Sequence, residues 1–249
     1  MHTIAALLCE LKNEFALHAL IGLECEFYVQ PALDDVLLNE LALQLVASHS
    51  LFDKLEREDG DGQLEFSLRY TKNTAELVQQ FISVKRFVAE QYPFVSFSST
   101  PYDQQPASGL HVHLHLETEQ GVRVFFKNDQ LMSAPLKHSI AGLLARMPDA
   151  AKKLITNYEG KARIGSGAID VPNTISWGTN NRSCAIRLPD AAHDKKHIEY
   201  RLAGADVDAV LAIEQMLKGV LYGLREQPAL PEPIYGNAHD GQYDLESLL

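Results

Sequence analysis

The chemistry in this sequence collects on four short stretches where apolar and ionisable residues alternate. In Leu23-Glu24-Cys25-Glu26-Phe27-Tyr28-Val29 the alternation sends Leu23, Cys25, Phe27 and Val29 to one side of a strand and Glu24 and Glu26 to the other. Leu64-Glu65-Phe66-Ser67-Leu68-Arg69 repeats the arrangement, with Glu65 opposite Leu64, Phe66 and Leu68. In Leu110-His111-Val112-His113-Leu114-His115-Leu116 the histidines share one face, and in Ile198-Glu199-Tyr200-Arg201-Leu202 Glu199 and Arg201 share one. Antiparallel sheets commonly have one face in water, where Lys, Glu and Thr are ordinary. Lysine is absent from the polar faces of all four stretches. Adjacent carboxylates repel, so gathering Glu and His on one face costs stability unless a cation compensates them. A bound metal ion is the simplest such cation. Carboxylates with imidazole and no thiolate form a hard donor set that suits Mg²⁺ or Mn²⁺ better than structural zinc, which points to catalysis. The segment Asn181-Arg182-Ser183-Cys184-Ala185-Ile186-Arg187-Leu188-Pro189 adds two arginines that enter and leave a short strand. Guanidinium forks bind phosphate or carboxylate bidentately, and a divalent metal beside arginine equips a site for phosphoryl transfer.

Elements of both kinds are needed to hold these faces. Ile4, Leu7, Leu8, Leu11 and Phe15 recur at helical spacing and predict a helix over 3–18. Further helices are predicted over 33–48, 74–91, 133–146, 149–156 and 206–224, that over 74–91 opened by Asn73 with Glu76 three residues on, a variant capping box. Helices alternating with half-buried strands predict an α+β fold. At 249 residues and 46% hydrophobic content the chain suffices for one sizeable core, so a single domain over 1–249 is expected. A formal charge of −11 opposes a nucleic-acid partner. Lys195 and Lys196 form an isolated basic pair expected in a solvated loop. Cys9, Cys25 and Cys184 show no paired spacing, which suggests neither a disulfide framework nor a thiolate zinc site. The start lacks the basic, uninterrupted apolar character of a signal peptide, and no stretch approaches the roughly 20 apolar residues of a membrane span. A cytoplasmic protein with no membrane partner is expected.

The ordered set Gly22-Leu-Glu-Cys-Glu-Phe27, Glu58 through Gln63-x-Glu65, Ser108-Gly109-Leu110-His111-Val112-His113, Asn181-Arg182-Ser183 through Arg187-Leu-Pro189, and Ile198-Glu199-Tyr200-Arg201 resembles the catalytic domain of glutamine synthetases over roughly residues 20–240. Pro233-Ile-Tyr-Gly-Asn-Ala238 resembles a segment of the gamma-glutamylpolyamine synthetase branch. The resemblance implies a curved, mainly antiparallel sheet with helices packed on its outer face, related to guanido kinases. It implies a ligase that joins a carboxylate to an amine or ammonia through an acyl phosphate, with ATP as substrate and Mg²⁺ or Mn²⁺ at two sites. It assigns Glu26, Glu58 and Glu65 to one metal and Glu24, His111 and Glu199 to the other. It sets His113 near the nucleotide, with Arg182 and Arg187 on its phosphates or the transferred phosphoryl group, and Arg201 on the carboxylate substrate. Asp170 stands where the family has a loop Glu that helps deprotonate the amine, Arg163 matches a substrate arginine after a one-residue shift, and Trp177 falls near the nucleotide.

On the same resemblance, the family's N-terminal β-grasp domain and C-terminal helices are expected to be absent. The former supplies a catalytic Asp and closes each active site from a neighbouring subunit, so a homo-oligomer or a partner chain supplying that lobe is an expected partner. Thr100-Pro101, Pro106-Ala107 and His115 depart from the family pattern on the substrate side. Three readings follow: a ligase for other carboxylates or amines, or one subunit of a split ligase; a glutamine synthetase relative working in truncated form; and a non-catalytic ATP- and metal-binding regulator.

Overall fold

Helix gives way to strand at Ala16. The computed structural model describes residues 1–125, 132–190 and 196–249, so Asp194 and Lys195 of the basic pair's loop lie outside the described residues. Helix α1 (His2–Phe15) ends where Ala16 takes a left-handed conformation (φ 55°) and returns its N–H to Lys12 O. Strand β1 (Leu17–Val29) starts at once. The predicted helix over 3–18 therefore runs too far, because Leu17 and Ala19 already belong to the alternating pattern that continues through Leu23. Helix α2 (Asp35–Ser48) is capped by Asp34, and a hairpin of β2 (Phe52–Arg57) and β3 (Gln63–Thr71) follows. Helix α3 (Thr74–Gln91) closes the expected box: Asn73 accepts from the Glu76 N–H at 3.2 Å and donates its own amide to the Glu76 carboxylate at 3.2 Å.

After β4 (Val95–Ser96) and β5 (Gly109–Thr118) comes α4 (Ala134–Leu154), one helix where the sequence predicts two. Pro148 removes a backbone hydrogen bond inside it, yet Leu144 and Met147 before it and Ala151 and Leu154 after it are all buried, so one apolar stripe carries the helix through. The short α5 (Tyr158–Ile164), β6 (Trp177–Thr179) and β7 (Ile186–Leu188) lead to β8 (Ile198–Gly204) and α6 (Ala209–Glu226). Helix α6 begins at Ala209, three residues beyond the predicted start, and is capped by Asp208.

The strands form one open sheet in the order β2-β3-β1-β5-β8-β7-β6, with β4 on β1. Neighbours are antiparallel except β6 and β7. One face meets the helices: α1 and α3 pack on β1, α6 on β5 and α4 on β8. That side holds the principal core, including Leu23, Phe27, Phe66, Val112, Leu114 and Leu202. Helices α4 and α6 cross closely because Gly142 lies against Gly219 and Gly223, where a Cβ on Gly223 would meet the His138 carbonyl oxygen at 1.9 Å. The opposite face of the sheet carries the ionisable side chains. Among the described residues no helix is long and apolar enough to cross a membrane.

Candidate active site

Strand register decides which ionisable side chains meet. Glu65 on β3 stands opposite Glu26 on β1 and Glu56 on β2. Glu24 stands opposite His111 on β5, His113 opposite Glu199 on β8, and Glu199 opposite Arg187 on β7. Cross-strand neighbours on one face lie within side-chain reach, so the register builds a belt of carboxylate, imidazole and guanidinium from β2 to β7. It lines a cavity of about 170 Å³ that Lys54, Glu58, Asp170 and Arg182 also border.

Two close groups form inside it. Glu24, His111 and Glu199 bring one potential ligand atom each within 4.8 Å of one another, and so do Glu26, Glu65 and His111. His111 joins both: its Nδ1 lies 3.6 Å from Glu199 Oε1 and 3.8 Å from Glu24 Oε2, and its Nε2 4.0 Å from Glu26 Oε1. Gly109 makes room for this, since a Cβ there would stand 2.6 Å from His111 Nε2, and its N–H donates to Glu26 Oε2 at 2.7 Å. Glu58, assigned by resemblance to the first metal, lines the cavity without joining either close group.

The charges are unevenly compensated. Burial, with repulsion from Glu24, Glu26 and Glu58, pushes the Glu65 carboxyl up to about 9. Burial pushes Glu26 up to about 7, although the Gly109 amide, Arg163 and Arg201 oppose it. Burial, then Arg201, holds His111 down to about 4, leaving a neutral imidazole with a lone pair to offer. Burial would also raise Glu199, but Arg201, His111, His113 and Arg187 outweigh it and hold its carboxyl at about 2. Arg187 Nη1 donates to Glu199 Oε2 at 2.8 Å, and Arg201 bonds its other oxygen. The Glu26–Glu65 side is thus short of positive charge, and a hard divalent cation is what its donors fit.

The remaining predicted residues take different stations. His113 lies between Glu24 Oε2 at 2.9 Å and the His197 ring nitrogen at 2.9 Å, with Tyr70 edge-on to both rings. Arg182 is exposed on the rim, and Asp170 and Arg182 line both the small cavity and an adjoining recess of about 960 Å³. Arg201 reaches the Asp170 backbone carbonyl at 2.7 Å. Arg163 is 2% exposed and donates to the backbone carbonyls of Arg201 and Leu202, both at 3.2 Å, so it braces β8 from beneath and lines neither cavity. Trp177 is buried in the core with its N–H on Pro231 O and also lines neither. His115 is buried with its ring against Phe125.

Sequence reasoning missed Lys54, Glu56 and His197. Lys54 and Glu56 stand on β2, which was not read as a strand. The alternation Lys54-x-Glu56-x-Glu58 was the available signal. The absence of lysine holds for the four stretches considered and fails on this fifth one, where Lys54 contacts Glu56 and approaches Glu65 at 4.0 Å.

Fold and site together define an α+β protein whose open, mainly antiparallel sheet presents an acidic, imidazole-bearing face that can hold divalent metal. Residues 25–246 match the family model of the glutamine synthetase catalytic domain. The chain belongs to that family. It is similar to gamma-glutamylputrescine synthetase PuuA of Escherichia coli (strain K12), 33% identical over 205 residues, which cover 80% of this chain and 42% of that protein. Gamma-glutamylethanolamide synthetase GlnA4 of Streptomyces coelicolor is 25% identical over 211 residues, 83% of this chain and 45% of that protein. The chain therefore spans less than half the length of these two relatives. A solved structure titled as a GmaS/ADP complex superposes with a TM-score of 0.84 at 22% identity, covering 99% of this chain and 64% of that one, which supports the fold.

Proposed function

We propose that this chain carries the catalytic face of an ATP- and divalent-metal-dependent ligase that joins a carboxylate to a primary amine through an acyl phosphate. The observation that supports it most is the pair of carboxylate–imidazole groups sharing His111, flanked by Arg182, Arg187 and Arg201. On this reading Glu24, His111 and Glu199 hold one Mg²⁺ or Mn²⁺, and Glu26 and Glu65, with Glu58 at hand, hold the other. When bound, the metals supply Lewis-acid stabilisation of charge on phosphoryl and carboxylate oxygens. The chain's own groups do the rest. Arg182 and Arg187 neutralise phosphoryl oxygens, Arg201 orients the carboxylate substrate, and His113 borders the nucleotide. The carboxylate attacks the γ-phosphorus and ADP leaves. The amine then attacks the acyl carbon, a proton passes to Asp170, and phosphate departs.

The two relatives named for gamma-glutamyl amides support an alkyl amine as acceptor and a gamma-glutamyl-type carboxylate as donor. Asp59 and Asp170 border the 960 Å³ recess with Arg182, a lining with one carboxylate in excess that suits a cationic amine. Arg163, buried behind β8, supports Arg201 rather than touching substrate. The test is to titrate purified protein with Mn²⁺ and with Mg²⁺–ATP, then follow ADP release across a panel of carboxylates and amines. Release that requires one member of each class, and disappears in Glu65→Ala, is the expected result. Metal and nucleotide binding with no turnover across the panel would instead favour a non-catalytic regulator or a site completed by a partner chain.

A further inference from the structure

The carboxylate belt contains a cation of its own. Lys54 Nζ contacts the Glu56 carboxylate and lies 4.0 Å from Glu65 Oε1. Among the described residues it is the one cation in ion-pair range of Glu65. Arg187 and Arg201 are committed elsewhere, each to an oxygen of Glu199. The Lys54 side chain is 44% exposed on a flexible stem, whereas the Glu65 side chain is 10% exposed, so the mobile partner is the lysine. It has somewhere to go. Lys54 borders the carboxylate cavity on one side and, with Asp53, Ser67, Tyr70 and His113, a second cavity of about 90 Å³ on the other.

We propose that Lys54 is an internal counter-cation of this acidic face that stands on Glu56 beside the Glu65 carboxyl when metal is absent and swings toward the neighbouring cavity when a divalent cation takes Glu65. The inference rests on the reading of Glu26, Glu65 and His111 as a metal group. A divalent ion held by Glu65 sits roughly 2 Å from the carboxylate oxygen, and therefore within a few ångströms of the Nζ position seen here. Like charges at that separation repel, and the ammonium is the partner free to leave. The metal-free sheet thus keeps its acidic face without an ion, and the metal must displace a tethered competitor, which lowers its apparent affinity.

The experiment is Mn²⁺ binding followed by calorimetry and by electron paramagnetic resonance of the free ion, on wild type, Lys54→Met, Lys54→Gln and Lys54→Arg. Removing the competitor is expected to tighten binding by up to about thirtyfold, the scale of one charge repelling a divalent ion at about 4 Å in a water-like medium, in both Lys54→Met and Lys54→Gln. Lys54→Arg should match wild type. Metal-free Lys54→Met should also melt below wild type, with the gap closing at saturating Mn²⁺. Equal or weaker Mn²⁺ affinity in the neutral variants overturns the inference while leaving the metal group intact. Failure of wild type to bind Mn²⁺ overturns the metal group, and the inference with it.

Discussion

Binding a divalent cation to the Glu26–Glu65–His111 group should expel protons, in a number that changes with pH. The perturbation is addition of Mn²⁺ to metal-free protein. With Glu65 held at about 9 and Glu26 at about 7, Glu65 is almost fully protonated at pH 7 and Glu26 about half so. Metal ligation needs both as carboxylates, so saturation should release roughly 1.5 protons at pH 7, about one at pH 8 and close to two at pH 6. His111, held down to about 4, is already neutral over this range and adds none. The assay is the heat of Mn²⁺ binding in buffers of different ionisation enthalpy, whose slope gives the proton count. The same shifts fix the sign of the stability change. A carboxyl raised in the folded state contributes stability that is fully present below the unfolded value of 4.5 and is lost as pH rises through the folded value. Metal-free protein should therefore lose melting temperature from about pH 4.5 to about pH 9, most steeply below pH 7 where Glu26 and Glu65 both retain protons, and saturating Mn²⁺ should abolish that loss. A slope of zero at pH 7 would refute the reasoning, since it would mean that both carboxyls are already ionised.

Other residues carry separable expectations. Asp170→Asn should leave Mn²⁺ affinity unchanged and lower amine-dependent ADP release by about 100-fold, the lower range for loss of a general base. An effect on metal affinity of similar size would place Asp170 among the ligands instead. Glu199→Gln removes the partner of two arginines and strands their charge, so denaturant titration should register a loss of about 3 kcal/mol, alongside weakened metal uptake. Asn73→Ala should cost about 1 kcal/mol in the same titration with no change in metal binding, because the Asn73–Glu76 box only caps α3.

The elements most legible in the sequence are those where a local signal and a tertiary role coincide. Helix α3 lies where 74–91 was predicted because its cap is chemical and its stripe of Leu77, Phe81, Val84 and Val88 is buried. Boundaries failed where tertiary packing overruled a local rule. Pro148 reads as a break, yet α4 passes through it because both halves bury their stripe against the same core. Ala16 carries no stop signal at all, and only the left-handed turn into β1 ends α1. Strand β6, three residues long, is too short for alternation to announce it, and the short strand read between Arg182 and Arg187 is confined to Ile186–Leu188, with Arg187 inside it and Arg182 in the turn before it.

For the site, alternation identified the correct face of β1, β3, β5 and β8, because a period of two fixes which side chains share a face whatever the partner strand. Register is what alternation cannot give. It decides that Glu65 meets Glu26 and Glu56, and that His111 lies between Glu24 and Glu199 rather than beside Glu58. Burial depth was equally hidden: Arg163 and Arg201 read alike as arginines, but one is spent on backbone carbonyls beneath β8 and the other on Glu199 within the cavity. Lys54 follows from the same logic. The cations legible on this face, Arg187 and Arg201, are both bonded to Glu199, which leaves the Glu56–Glu65 side without one. The β2–β3 register brings Lys54 in from an edge strand whose only sequence signal is the short alternation Lys54-x-Glu56-x-Glu58, after a bulge between Phe52 and Lys54 that shifts the pairing. The acidic face is therefore built with its own weak, tethered substitute for the metal it is proposed to bind.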